Sequence, residues 1–152
     1  MDLILWRHAD AEEGIGIPDG ERKLTAKGIK QAARMAKWLR ARLPEDAVVL
    51  ASPAKRAQQT ARALTADFEI VAEIGTSAAA EDVLRACGWP KTGRTLVVVG
   101  HQPTLGEVTA LLLTGARGQW GLKKGAVIWL AQGAGGGIAR PSLRAAISPD
   151  LL

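Results

Sequence analysis

Short apolar runs alternate along this chain with longer segments in which apolar residues recur every three or four positions. Continuous apolar runs are what strands buried on both faces look like, and they predict strands at about residues 2–7, 47–51, 69–72, 95–99, 126–131 and 138–146. Thr25 is placed to cap a helix reaching about Leu43, with Ile29, Ala32, Ala33, Ala36, Leu39 and Leu43 on one face and Pro44 at its end. Ser52 and Pro53 read as the cap and first residue of a helix over about 53–67, where Ala57, Ala61, Leu64 and Phe68 recur at helical spacing. A shorter helix is expected from about Ala78 to Cys87, stopped by Gly88 and Pro90, and another from about Thr104 to Leu113, stopped by Gly115. Gly14 to Gly20, broken by three glycines and Pro18, has no regular pattern and is expected to be the least ordered part, a mobile rim beside the first strand's exit.

Strands alternating with helices build a sheet covered on both faces. Only the Gly133 to Gly137 stretch joins the last two strands, which requires them to be antiparallel. The expected fold is therefore a three-layer α/β/α arrangement with a mostly parallel, mixed sheet and a C-terminal antiparallel strand. With 152 residues, 47% of them apolar, there is material for one core, so residues 1–152 are read as one domain.

Composition narrows the setting. The single cysteine, Cys87, leaves no internal disulfide and no thiolate-rich metal site; it reads as a small buried hydrophobe in a reducing cytoplasm. Met1-Asp2 leads straight into an apolar run of four residues, without a basic leader, a cleavage-site pattern or a bilayer-length run, so a soluble, unprocessed protein off the membrane is expected. A net charge of +5 favours anionic partners in general. It does not choose nucleic acid, because zinc-finger spacing, a stacking platform and a dense basic tract are all missing from the sequence.

The two histidines decide more. Arg7-His8 ends the first apolar run and His101 follows the fourth, and strand exits are where open α/β sheets carry ligands. Arg56 falls in the first turn of the helix after the second strand. If the first, second and fourth strands are parallel neighbours, these four side chains meet at one sheet edge, beside helix N-termini that present free N–H groups to an anion. Two guanidinium forks complement a phosphoryl group and its transition state. A neutral imidazole can attack phosphorus without a separate base. Arg7 and Arg56 should keep His8 neutral, while a bound dianion should favour a protonated, donating His101. A hydrolytic metal site of His8, Asp10 and His101 would set two arginines against a dication.

The residues that carry this chemistry resemble a known family. Leu5-Trp6-Arg7-His8-Ala9 is similar to the Arg-His-Gly signature of the histidine phosphatase superfamily, the phosphoglycerate mutase-like proteins, with Ala9 in place of the usual glycine. Ser52-Pro53-Ala54-Lys55-Arg56-Ala57-Gln58-Gln59-Thr60 resembles its second-arginine helix, and Val99-Gly100-His101-Gln102-Pro103 its second-histidine turn. Arg22-Lys23-Leu24-Thr25-Ala26-Lys27-Gly28 is similar to the segment opening its first helix. The small size and the whole pattern most resemble the SixA-type phosphohistidine phosphatases. The resemblance implies a phosphoglycerate mutase-like fold, His8 as the phosphorylated nucleophile, Arg7, Arg56 and His101 as the phosphate pocket, and no metal or other cofactor.

Many relatives carry a carboxylic acid before the second histidine that protonates the leaving oxygen. Glu69, Glu73, Glu81 and Asp82 stand in that interval here, with Asp10, Glu12 and Asp19 near the N-terminus, and Glu81 is the candidate taken. A weak acid signal favours a phosphoramidate substrate, whose imidazole leaves more readily than an alkoxide. The interval between Arg56 and His101 is too short for the large helical lid of relatives acting on sugar phosphates, which suits a phosphorylated side chain displayed on a protein. Lys27, Lys30, Arg34 and Lys37 form a stripe fit to dock an acidic histidine phosphotransfer domain or simply to face solvent. Trp6, Trp38 and Trp129 are assigned to the core, while Trp89 and Trp120 are candidates for the mouth of the site. A small-phosphoester phosphatase and a catalytically poor phosphate-binding module stay open beside the leading reading of a metal-independent phosphohistidine phosphatase.

Overall fold

The computed structural model describes residues 1–132 and 140–152. Strands β1 (Asp2–Arg7), β2 (Val48–Ala51), β3 (Glu69–Ile70), β4 (Leu96–Gly100), β5 (Val127–Ala131) and β6 (Ser142–Ile147) form one sheet in the order β3-β2-β4-β1-β5-β6. The β3-β2-β4-β1 part is parallel, and β5 pairs antiparallel with both β1 and β6. The mixed sheet, parallel at its centre, is as expected. The Gly133 to Gly137 connection and the first residues assigned to the last strand lie outside the described residues, and that strand begins at Ser142.

Helices α1 (Ala26–Arg40) and α2 (Lys55–Leu64) pack on one face, and α3 (Ala80–Cys87) and α4 (Thr104–Thr114) on the other. The alternation of β1 explains how both faces are served: Ile4 and Trp6 join Met35, Leu39 and Ala57 on one side, while Leu3 and Leu5 join Val83, Leu105 and Val108 on the other. Gly88 and Gly115 close α3 and α4 in the left-handed conformation, where a side chain would be strained. Among the described residues no helix is long and apolar enough to cross a membrane.

The first helix faces the core differently from expectation. Its buried residues are Gly28, Ala32, Met35, Ala36 and Leu39, whereas Ile29 and Ala33 are exposed, and it ends at Arg40 rather than Leu43. A close approach sets this rotation: a Cβ at Gly28 would lie 2.0 Å from the Asp10 carbonyl oxygen, so the helix meets the chain leaving β1 through a residue without a side chain. The second helix starts at Lys55, capped by Ala54, instead of at Ser52-Pro53. Ser52 still belongs to the sheet edge, its N–H donating to the Val99 carbonyl at 3.0 Å.

The Gly14–Gly20 segment, expected as a loose rim, is largely exposed, and contacts on either side of it close the loop. Ala11 bridges Leu24, Arg22 Nε donates to the Glu12 carbonyl at 2.7 Å, and a 3-10 turn at Asp19–Glu21 turns Asp19 toward α2.

Candidate active site

Strand register assembles the site. Arg7 lies opposite Gly100 and Ala51 opposite Val99, so the next residues, His8, His101 and Ser52, leave the sheet side by side. The His8 N–H donates to the Gly100 carbonyl at 3.0 Å, and the two histidine rings are 5.2 Å apart. Arg56, one residue into α2, reaches the same place. Arg7, His8, Arg56 and His101 thus line one cavity of about 220 Å³, together with Arg22, Thr76, Gln102 and Lys124.

His8 is 7% exposed, and its Nδ1 lies 2.7 Å from the Ala9 carbonyl. A carbonyl only accepts, so Nδ1 carries the hydrogen and Nε2 keeps its lone pair, accepting from Arg56 Nε at 3.4 Å. Burial, reinforced by the charges of Arg56, Arg7 and Arg22 and partly opposed by the Ala9 carbonyl, pushes the His8 pKa down from 6.5 to about 4. His101 is pushed down to about 3, by burial first and then by His8, Arg56 and Arg7. Its Nε2 lies 2.7 Å from the Ser52 hydroxyl. Both rings are neutral at pH 7.

The arginines are positioned from the backbone. Arg7 Nη1 donates to the Leu122 carbonyl at 2.7 Å, while Arg56, 5% exposed, donates from Nη1 to the Asp19 carbonyl at 2.8 Å. Arg56 Nη2 also pairs with Asp19 Oδ2 at 3.1 Å, and Arg22 Nη1 with Asp19 Oδ1 at 3.0 Å. Buried Arg7 Nε and His101 Nδ1 find no hydrogen-bond partner among the described residues. Buried polar groups are seldom left so, and both of these belong to residues that line the cavity. Such a surface can hold a tetrahedral oxyanion against two fixed guanidinium groups beside an unprotonated imidazole nitrogen.

Ala9 fits where relatives have glycine. Among the described residues no residue other than glycine has positive φ, and Ala9 is fully buried with its N–H on Thr60 Oγ1 at 3.1 Å. The Thr60 hydroxyl donates in turn to the Arg56 carbonyl at 2.7 Å, so α2 grips the chain that carries His8.

Glu81 does not join the cavity. It sits on α3, paired with Arg117, whose guanidinium helps keep its carboxyl below the usual range after the local backbone contact. Asp10 is held low by hydrogen bonds from Lys124 and Thr25, and Asp19 by those from Arg22 and Arg56. The carboxyls nearest the site are therefore anions at neutral pH, poor as proton donors. Trp89 also lies elsewhere, in the core with its Nε1 on the Met1 carbonyl, while the Trp120 carbonyl accepts from cavity-lining Gln102. The Cys87 thiol is pushed up to about 12 by burial, which makes it inert as a nucleophile.

Thr76 and Lys124 line the cavity without a signal in the sequence, whereas Ser52 and Gln102 stood inside recognised segments with no part of their own and Asp19 stood only among the candidate acids. Arg22 stood inside a recognised segment, where the basic residue before Leu24-Thr25 was the available signal. Leu105 and Gly106 N–H groups of α4 go to the His101 carbonyl and the Gln102 side chain, so this helix start offers those two amides to its own turn and not to a ligand.

A family model of the histidine phosphatase superfamily, branch 1, matches residues 3–81, a stretch that contains Arg7, His8 and Arg56. The chain belongs to the histidine phosphatase superfamily. It is accordingly a phosphatase, a hydrolase of that superfamily, with a SixA-like fold. An uncharacterised Mycobacterium tuberculosis protein is 37% identical over 110 residues, covering 70% of this chain and 68% of its own length. A Picosynechococcus protein, likewise uncharacterised, is 33% identical over 148 residues, covering 88% of this chain and 87% of that protein. The structure of the protein histidine phosphatase SixA complexed with tungstate superposes with a TM-score of 0.85 at 24% identity, over 99% of each chain. The phosphoglycerate mutase-like arrangement expected from the motifs is the one found.

Proposed function

We propose that this histidine phosphatase removes phosphoryl groups from phosphohistidine displayed on a protein, in the cytoplasm, through a covalent intermediate on His8 and without a metal. The observation that carries this reading is the cavity itself, lined by two arginines and two neutral histidines, of which Arg7 and His101 each also keep a buried nitrogen without a hydrogen-bond partner among the described residues.

His8 Nε2 attacks phosphorus opposite the departing nitrogen. The Nε2–P bond forms as the substrate P–N bond breaks, and the electron pair leaves with the substrate's imidazole. That ring binds a proton on its other nitrogen near neutral pH, so it departs as neutral imidazole. Arg7 and Arg56 hold the phosphoryl oxygens while their charge spreads. The dianion draws His101 toward its protonated form, giving a second donor. Water then attacks the phosphoryl group, the bond to His8 Nε2 breaks, and the water's proton passes to product phosphate or solvent.

The choice of a nitrogen leaving group rests on the acids. No carboxyl lines the cavity among the described residues, and Asp19 and Asp10 beside it are held ionised by their cationic partners. An alkoxide would need a positioned donor that an imidazole does not. The likeness to SixA, a protein histidine phosphatase, points the same way.

The test compares kcat/KM on a phosphohistidine peptide, a panel of sugar phosphates and p-nitrophenyl phosphate, with and without chelator. The peptide is expected to lead the sugar phosphates by about a hundredfold or more, the advantage of a leaving group that needs no general acid; p-nitrophenyl phosphate, whose phenolate also leaves without one, reports the intact site, and chelator should change nothing. Faster turnover of the sugar phosphates would overturn the substrate assignment, and loss of activity with chelator would overturn the metal-free chemistry.

A further inference from the structure

The outer face of α1 carries Lys27, Lys30, Arg34 and Lys37, and the whole helix has no carboxylate. Lys27 and Lys30 stand near its N-terminus, where the helix dipole favours anions, so these positions do not serve the helix's own stability. Arg22, Arg56, Lys124 and Arg144 each meet a carboxylate, whereas the four α1 cations form no salt bridge among the described residues.

Lys27, Lys30 and Arg34 line a cleft of about 350 Å³ between α1 and the Pro149–Leu151 turn, with Asp150 as its one acidic wall residue. The cleft adjoins the active-site cavity. Its Gln31 accepts from the Asp10 N–H at 2.9 Å, and Gly125 sits against Gln31 and Pro149 directly after cavity-lining Lys124.

We propose that this cleft and the α1 face dock a carboxylate-rich surface of the protein whose phosphohistidine enters the cavity, so that the enzyme selects acidic protein partners. This rests on the phosphohistidine-protein reading above. A protein is favoured over nucleic acid because the cleft lining has no aromatic platform for bases, and the α1 aromatic Trp38 is packed against Trp129 with Arg42 over its ring.

The experiment uses two phosphohistidine peptides of equal length, one flanked by glutamates and one by glutamines, with wild type and the double variant Lys30→Glu, Arg34→Glu. Wild type is expected to favour the glutamate peptide by about tenfold in kcat/KM at low salt, through KM. That preference should vanish at high salt and in the variant, while p-nitrophenyl phosphate turnover stays unchanged and so reports an intact site. Equal rates on both peptides by wild type, or a preference that survives in the variant, would overturn the proposal. Stronger competition from a short single-stranded DNA than from a glutamate peptide would overturn the assignment to a protein. If wild type turns over p-nitrophenyl phosphate but neither peptide, the phosphohistidine reading fails first and this proposal with it.

Discussion

Replacing Asp19 with asparagine tests how the phosphate clamp is occupied. The Asp19 carboxylate lies 3.1 Å from Arg56 Nη2 and 3.0 Å from Arg22 Nη1, and it is 57% exposed. A phosphoryl group held by Arg56 must share that guanidinium with it. At about 5 Å a dianion and a carboxylate repel by about 1.5 kcal/mol even at the dielectric constant of water, and physiological salt cuts this roughly in half. Freeing Arg56 from a solvent-screened ion pair adds about 0.5 kcal/mol. Asp19→Asn should therefore bind an oxyanion about tenfold more tightly, corresponding to about 1.3 kcal/mol. Titration calorimetry with tungstate at pH 7 measures the gain, which should shrink in about 1 M salt, where the Debye length is about 3 Å. Unchanged or weaker binding would refute the reasoning and make Asp19 a builder of the pocket instead of a competitor for it.

Because the His8 pKa is depressed to about 4, kcat/KM corrected for substrate ionisation should stay flat from neutrality to about pH 5 and fall near pH 4; a fall centred on 6.5 would contradict it. The same depression couples to folding: between pH 6.5 and 4 the unfolded chain protonates His8 first, so stability is whole above 6.5 and drains as pH falls toward 4. His8→Gln should flatten that limb by about 3 kcal/mol in urea titrations. Gly28→Ala would set a Cβ 2.0 Å from the Asp10 oxygen and should cost about 2–3 kcal/mol, lowering the melting temperature by about 5–10 °C. Glu81→Gln should change kcat by less than about twofold on any substrate, because the side chain is paired with Arg117 outside the cavity.

The sheet and the convergence of Arg7, His8, Arg56 and His101 on one cavity were legible because each rests on local pattern. Apolar runs that stop at Arg7 and at Gly100 mark strand ends, and parallel pairing of β1 with β4 puts His8 beside His101. Arg56 was legible from its place in the first turn of a helix whose alanines face the core. What stayed hidden depends on approaches between distant segments. The rotation of α1 follows from Gly28 meeting Asp10, a backbone contact that leaves no trace in periodicity. Ser52 read as a helix cap because serine before proline commonly is one, yet its hydroxyl meets His101, 49 positions away. Glu81 had the right location in the chain for an acid, but its partner Arg117 lies in a loop whose course no local signal reveals.

The most direct measurement of the central claim is quenched-flow labelling with a phosphohistidine or aryl phosphate donor, followed by peptide mapping that locates the phosphoryl group. An acid-labile, alkali-stable label on His8 Nε2, formed at least as fast as turnover and absent from His8→Ala along with activity, is the predicted result. A label on another residue, or a His8→Ala enzyme that turns over like its parent, would contradict it.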